Sequence, residues 1–489
     1  MTLSKSQYIR GLQCHKSLWL YKHNPELRDI PDAAQESLFN AGYSVGDVAK
    51  ELFSNGVEIE FDSSNFDGMI QKTKQLIEEG TEVIYEAAFK EDGIFAMADI
   101  LVKNGDAWDM YEVKASTYVK EYHINDASIQ WYALSKAIKL NRVYIVHVNN
   151  QYERNGELDV HELLTMVDVS DEVLAKQSQI EPQLVEMQEM LQGDVPKIDI
   201  GGHCSDPYGC DFMGHCWQHI PQQNSVFDIS YAMGKQWKLY YQGILSINDI
   251  PDDFHLGANA SLQVQHHKTQ EIKIDKEAIK NFLDTIEYPI NFFDFETFQN
   301  PIPRFDKQRP YAQMPFQYSL HILHKDGTLE HKEFLGDENS DPREALAKQM
   351  LKDITPTGSI VAFNQSFEQT QIRNLALTCK DLSDDLLCLI ERFKDLAHPF
   401  QYKHYYHPNF SGKYSIKVVL PTLFPNDAEL DYKKLGSIQN GGDAMDTFAN
   451  LHLLKDKTKR DAIRADLLAY CRLDTLAMVR IFEKLQEMT

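Results

Sequence analysis

Apolar and polar positions alternate in short runs and recur at helical spacing in longer ones. Strand-like runs cover 82–115 and 142–149, and helical spacing covers 35–54, 67–79, 125–139 and about 170–191. Residues 1–220 therefore read as one mixed α/β domain. Between 221 and 285 the pattern weakens. MGKQWKLYYQGILSINDIP reads as a short helical module and VQHHKTQEIKI as a strand after it. From 286 to 489, strands over 289–298, 315–324 and 359–363 alternate with helices over 341–353, 366–377, 383–393 and 460–486. That is an α/β pattern around a mixed sheet.

One strand stands out. NFFDFETFQNPIP carries Asp294 and Glu296 two residues apart, so both face one side while Phe293 and Phe295 fill the other. Carboxylates are costly in so apolar a strand. The pattern asks either for a metal or for a strand edge with one wet face.

Composition narrows the class. A chain of 489 residues exceeds one hydrophobic core, and 43% hydrophobic with 25% charged residues is ordinary for a globular protein. No apolar run is long enough for a membrane span, and MTLSKSQYIRGL lacks a signal-peptide core, so a cytoplasmic location is the expectation. Net charge is 49 − 73 = −24, which argues against a non-specific nucleic-acid coat. It leaves room for a nuclease, whose metals need clustered acids. Lys413, Lys417, Lys433 and Lys434 could form a local basic track or a solvated face.

In the first domain, IYEAAFKEDGIFAMADILVKNGDAWDMYEVKAST reads as three strands joined at Asp92-Gly93 and Asn104-Gly105. Two-residue turns place Glu86 opposite Asp99, and Asp99 opposite Met110. Glu112 then lies two residues further along the same face, with Lys114 beside it and Val113 pointing away. Such acids repel unless a cation sits among them. A divalent metal on Asp99, Glu112 and Glu86 would resolve this, with Lys114 orienting the attacking water. A solvated sheet face is the blander reading.

With Asp99 as first acid and Glu112-Val113-Lys114 as the (D/E)xK motif, the segment resembles the RecB-like nucleases of the PD-(D/E)xK superfamily. The resemblance implies a restriction-endonuclease-like fold and site roles for Gln130 and Tyr132 in DASIQWYALSKA, Tyr132 toward nucleic acid. Where some relatives carry a helix histidine, Gly42-Tyr43-Ser44-Val45-Gly46 ends in glycine.

Cys204, Cys210 and Cys216 follow C-x5-C-x5-C, and Cys14 stands alone near the start. No CxxC knuckle is present. Four thiolates can hold a 4Fe–4S cluster. One cysteine before a RecB-like core and three after it resembles the iron–sulfur subgroup of that family, where the cluster is structural. Zinc, with His203 or His215 as substitute ligands, is the alternative. Cys379, Cys388 and Cys471 read as buried thiols.

In the last domain Glu368 opens a helix after a short apolar strand. Tyr470 and Asp474 are i, i+4 on one helix face. Singly, Glu368 could be a helix N-terminal acid and Asp474 a core acceptor. The order DxE, N-x-x-F-E, Y-x-x-x-D resembles the tyrosine subclass of DEDD exonucleases with an RNase H-like fold. It implies two magnesium or manganese ions on Asp294, Glu296, Glu368 and Asp474, with Tyr470 orienting the water. That family has aspartate where this chain has Glu368, so Asp395 is a further candidate ligand. The whole chain, including YYHPNFSGKYSIKVVLP, resembles a bacterial fusion of the two domain types. The expected function is metal-dependent trimming of nucleic acid, single-stranded DNA ahead of RNA, from the 3′ end at the second site, in DNA repair or defence. A nucleic-acid-binding protein with degenerate sites is the alternative.

Overall fold

The alternation over 83–114 folds into three antiparallel strands, and the rest of a mixed sheet grows on either side of them. The computed structural model describes residues 2–30 and 33–489. It divides into two compact units, Met1–His219 with Asn300–Ala312, and Ile220–Gln299 with Gln313–Thr489. The weakly patterned stretch 221–285 thus belongs to the second unit, and residues 300–312 return to the first.

The first unit is built on seven strands: β1 (Leu3–Ser4), β2 (Val57–Glu58), β3 (Val83–Glu91), β4 (Ile94–Asn104), β5 (Ala107–Lys114), β6 (Leu140–Val148) and β7 (Leu164–Asp168). Their order is β2-β3-β4-β5-β6-β7, and β1 runs parallel to β4. β5 and β6 are parallel, joined by the helix Glu121–Ala137. Successive residues face opposite sides of the sheet. Ile84, Met110 and Ile145 join one core, packed on the helices Phe66–Glu78, Glu121–Ala137 and Ser170–Met190. Tyr85, Tyr111 and Val146 join the other, to which the returning segment adds Ile302 and Tyr311.

The second unit has a two-stranded ladder, β8 (Lys273–Ile274) with β14 (Tyr405–Tyr406). Its main sheet comprises β9 (Ile290–Phe298), β10 (Met314–Leu323), β11 (Leu329–Leu335), β12 (Ile360–Ala362) and β13 (Phe393–Asp395). The order is β11-β10-β9-β12-β13, antiparallel through β11, β10 and β9 and parallel through β9, β12 and β13. Phe293 and Phe295 pack with Tyr318 against the helices Arg343–Asp353, Ser366–Thr378 and Ser383–Ile390. Each buried ring contributes roughly 1.5–3 kcal/mol. On the other face, Phe292 packs on the long helix Lys457–Met488.

Two sequence expectations change. The strand expected over VQHHKTQEIKI is mostly the end of the helix Ala258–Thr269, and only Lys273–Ile274 is extended. The helix expected over 383–393 stops at Ile390, and the chain enters β13. Among the described residues no helix is long and apolar enough to cross a membrane.

Candidate active sites

In the second unit the hydrophobic order of β9 fixes the site. With Phe293 and Phe295 in the core, Asp294 and Glu296 turn toward the long helix, which presents Tyr470, Cys471 and Asp474. Glu368 arrives from the first turn of Ser366–Thr378. Asp294, Glu296, Glu368, Tyr470 and Asp474, with Lys417 from the helix Ile416–Leu423, line a cavity of about 300 Å3. Cys471 Sγ lies 3.9 Å from Asp294 Oδ2. Among the described residues, Asp294, Glu296 and Cys471 form a group whose metal-capable atoms all lie within 4.8 Å of one another.

The carboxylates are unevenly provided for. Tyr432 donates to Asp474 Oδ1, and Lys417 Nζ lies 3.6 Å from the same oxygen. Glu368 is 2% exposed, and among the described residues its Oε2 has no hydrogen-bond partner. Burial, then the neighbouring acids, hold Asp294, Glu296 and Glu368 well above the ordinary carboxylate range. Asp474 is also raised by burial, against the pull of Lys417, Tyr432 and Tyr470. Hard oxygen donors around an orphaned buried oxygen fit magnesium or manganese.

Asp395 does not line this cavity. Its Oδ1 accepts from the N–H groups of Asn364 and Ala397, both at 2.9 Å, and its Oδ2 from Gln365 N at 3.2 Å. It anchors the turn that delivers Glu368 and is no candidate ligand here. Lys413 is exposed and outside the cavity, whereas Lys417 is in it.

In the first unit the turn after β4 is shifted from the expected one. Asn104 pairs with Ala107, and Ile100 with Tyr111. Continued by one step, this register sets Asp99 against Glu112 instead of Met110. The shift is two residues, so the side chains keep their face. The β3–β4 register is the expected one on both sides of Glu86, which itself has a left-handed φ of 56°. Asp99 Oδ2 accepts from Val113 N at 2.7 Å. Glu112, 2% exposed, accepts at Oε1 from Lys114 at 2.8 Å and from Lys5 at 2.7 Å, and at Oε2 from Gln130. Lys114 also donates to Asp126.

Burial would raise the Glu112 carboxyl, but Lys114 and Lys5 outweigh it and hold it low. Burial would lower Lys114, but Glu112, Asp126 and Asp99 hold it well above its usual value. Asp99 is raised to about 8 by burial and then by Glu112, and Glu86 is raised by the same two causes. Four acids (Glu86, Asp99, Glu112, Asp126) meet two lysines, a deficit of two positive charges on the Glu86–Asp99 side. A divalent ion fits that deficit. Tyr132 packs in the core, its hydroxyl 3.4 Å from Asp92 Oδ2.

Cys14, Cys204, Cys210 and Cys216 line one small cavity and form no disulfide. Burial raises the thiols of Cys14 and Cys216, and the other cysteines add to it. Among the described residues no three of the four sulfurs lie within 4.8 Å of one another. A tetrahedral zinc with bonds of about 2.3 Å would bring them to about 3.8 Å. Of the remaining cysteines, Cys471 is buried, but Cys388 is exposed, contrary to expectation.

Sequence reasoning missed Lys5, Asp126 and Tyr432, and took Cys471 for an ordinary core thiol. Asp126 was within reach, being four residues before Gln130 on one helix face. The chain is a two-unit protein of mixed α/β sheets with a carboxylate-lined cavity in the second unit. A family profile described as a domain of unknown function (DUF2779) matches residues 291–415, a span that includes Asp294, Glu296 and Glu368 and ends before Lys417 and Tyr470. No curated protein matches the chain.

Proposed function

We propose that the chain is a metal-dependent nuclease that hydrolyses phosphodiester bonds, on single-stranded DNA ahead of RNA, in DNA repair or defence. The observation that carries this is the buried Glu368 Oε2, which among the described residues has no hydrogen-bond partner, in one cavity with Asp294, Glu296 and Asp474. Asp294, Glu296, Glu368 and Asp474 would hold magnesium or manganese, which when bound lowers the pKa of a water and offsets charge on the phosphate. Tyr470, at the cavity wall, orients the attacking water. The strand order of the second unit fits an RNase H-like domain of the DEDD type acting from a 3′ end.

In the first unit, Asp99 on one strand with Glu112 and Lys114 on the next fits the RecB-like PD-(D/E)xK reading. Lys114 positions the nucleophile and Gln130 fixes the Glu112 carboxylate. Cys14, Cys204, Cys210 and Cys216, around one cavity, would hold a structural 4Fe–4S cluster, with zinc as the alternative. A second reading applies to this unit alone. Because Glu112 already bonds Lys5, Lys114 and Gln130, the site could grip nucleic acid without cutting it.

The test is cleavage of end-labelled single-stranded DNA with manganese by the wild type, Asp294→Ala, Lys114→Ala and the double variant. Loss with Asp294→Ala is expected. DNA binding without cleavage by the wild type sinks the nuclease reading. Cleavage unaffected by Lys114→Ala makes the first unit a binding module.

A further inference from the structure

Lys417 is lodged in the carboxylate cavity in a way that no solvated basic track requires. Its ammonium lies 3.3 Å from the centre of the Tyr432 ring and 4.3 Å from that of Tyr470. It donates to the Tyr470 hydroxyl at 2.9 Å and lies 3.6 Å from Asp474 Oδ1. Tyr432 donates to that same oxygen. Two aromatic faces and a carboxylate make a seat for an ammonium group, attracted by the ring quadrupoles as well as by the charge. Among the described residues Lys417 is the one lysine lining the cavity, and its direct contacts are with Asp474, Tyr432 and Tyr470, not with the Asp294–Glu296–Glu368 side. There Glu368 Oε2 is buried and, among the described residues, without a hydrogen-bond partner, in the same cavity as the Asp294–Glu296 pair.

From this asymmetry we infer that Lys417 is a built-in cation of the site, seated beside Asp474, and that the cavity takes a single divalent ion on the Asp294–Glu296–Glu368 side. The inference rests on the metal-site reading above and departs from the two ions that the DEDD resemblance implies. A second divalent ion next to Asp474 would meet a like charge held in place by three side chains. Unlike a metal, the lysine is tethered to the chain and cannot leave the site. It would stay to position Tyr470, and through it the water, whatever the metal concentration.

Ion counting tests this without any assay of activity. The full chain is titrated with manganese(II), and free ion is followed by electron paramagnetic resonance. Asp294→Asn serves as the background, so that ions held elsewhere cancel. The wild type should hold one ion more than Asp294→Asn. Lys417→Met should hold two more than the Asp294→Asn, Lys417→Met double variant, and Lys417→Arg, which keeps the charge, should hold one more than its own Asp294→Asn counterpart. Two extra ions in the wild type overturn the inference and leave the metal site standing. No extra ion in either the wild type or Lys417→Met overturns the metal site itself. One extra ion in Lys417→Met also overturns the inference. If Lys417→Met does not fold, the wild-type and Lys417→Arg counts still decide between one ion and two.

Discussion

Lys5 and Lys114 donate to the same oxygen, Oε1 of Glu112, although Lys5 lies 107 residues before it in the chain. The pairing of Leu3 and Ser4 with Ile94 and Phe95 brings the start of the chain to β4, beside the β5 strand that carries Glu112. The two lysines are not equivalent. Lys114 also holds Asp126, which is 7% exposed.

Lys114→Met should therefore cost more than Lys5→Met. The first leaves two buried acids short of a cation, a loss of about 3–5 kcal/mol. The second leaves Glu112 with Lys114 and Gln130, a loss of about 1–3 kcal/mol. Denaturant unfolding of both variants checks the order. Equal losses would mean that Asp126 does not depend on Lys114.

Asp99 gives the metal-free first unit a pH dependence of definite sign. Its carboxyl is raised from 3.8 to about 8 by burial and by Glu112. The folded state then binds more protons than the unfolded state between those values, so stability falls as pH rises through that window. The slope cannot exceed about 1.4 kcal/mol per pH unit for one proton. Asp99→Asn should flatten it. Melting temperatures of the chelator-treated protein across that range, with and without the substitution, measure the difference. An unchanged slope would assign the effect to another group.

Asp395 should matter without touching a metal. Its carboxylate, 8% exposed, takes two backbone N–H groups at the turn before the helix of Glu368, from Asn364 and Gln365, and a third from Ala397. The helix has no side-chain cap of its own from Gln365. Asp395→Ala should lose about 3 kcal/mol and weaken manganese binding, because the turn that sets Glu368 is released. Calorimetric titration alongside unfolding tests both parts. Weaker binding at unchanged stability would restore Asp395 as a ligand.

The two sites differ in legibility. Asp294 and Glu296 could be placed on one face because Phe293 and Phe295 need the other, and Tyr470 with Asp474 because a helix repeats near every fourth residue. Lys5 could not be found, since its place depends on a two-residue parallel pairing that no local pattern announces. The helix Ala258–Thr269 was misread for a local reason. The part of it read as a strand, Val264–Thr269, carries one apolar residue, so no helical repeat shows, and Ile272 and Ile274 alternate with polar residues just after it. The helix buries Ala260, Gln263 and Val264. Gln263 is polar but accepts from Ser230 N and donates to Asp228 O, both at 2.9 Å, so burial costs it little. The shift of the β4–β5 turn escaped because Asn104-Gly105 and Gly105-Asp106 are both good turn pairs.

Glu368→Gln separates the cost of the site from its use. The carboxyl is raised by burial and then by Asp294, so in the metal-free protein its ionisation opposes folding. That opposition is absent below the ordinary carboxylate range and grows as pH rises toward the folded-state value. The amide keeps the shape and removes the charge. At neutral pH the metal-free variant should melt higher than the wild type, at about 2–4 °C per kcal/mol gained, and the gap should close in acid. Manganese should raise the melting temperature of the wild type and move that of the variant far less. The variant would then be the more stable protein without metal and the less stable one with it, an inversion that a purely structural Glu368 would not produce. If the variant melts lower in both conditions, the carboxylate is held by a contact other than a metal, and the cavity loses its strongest reason for one.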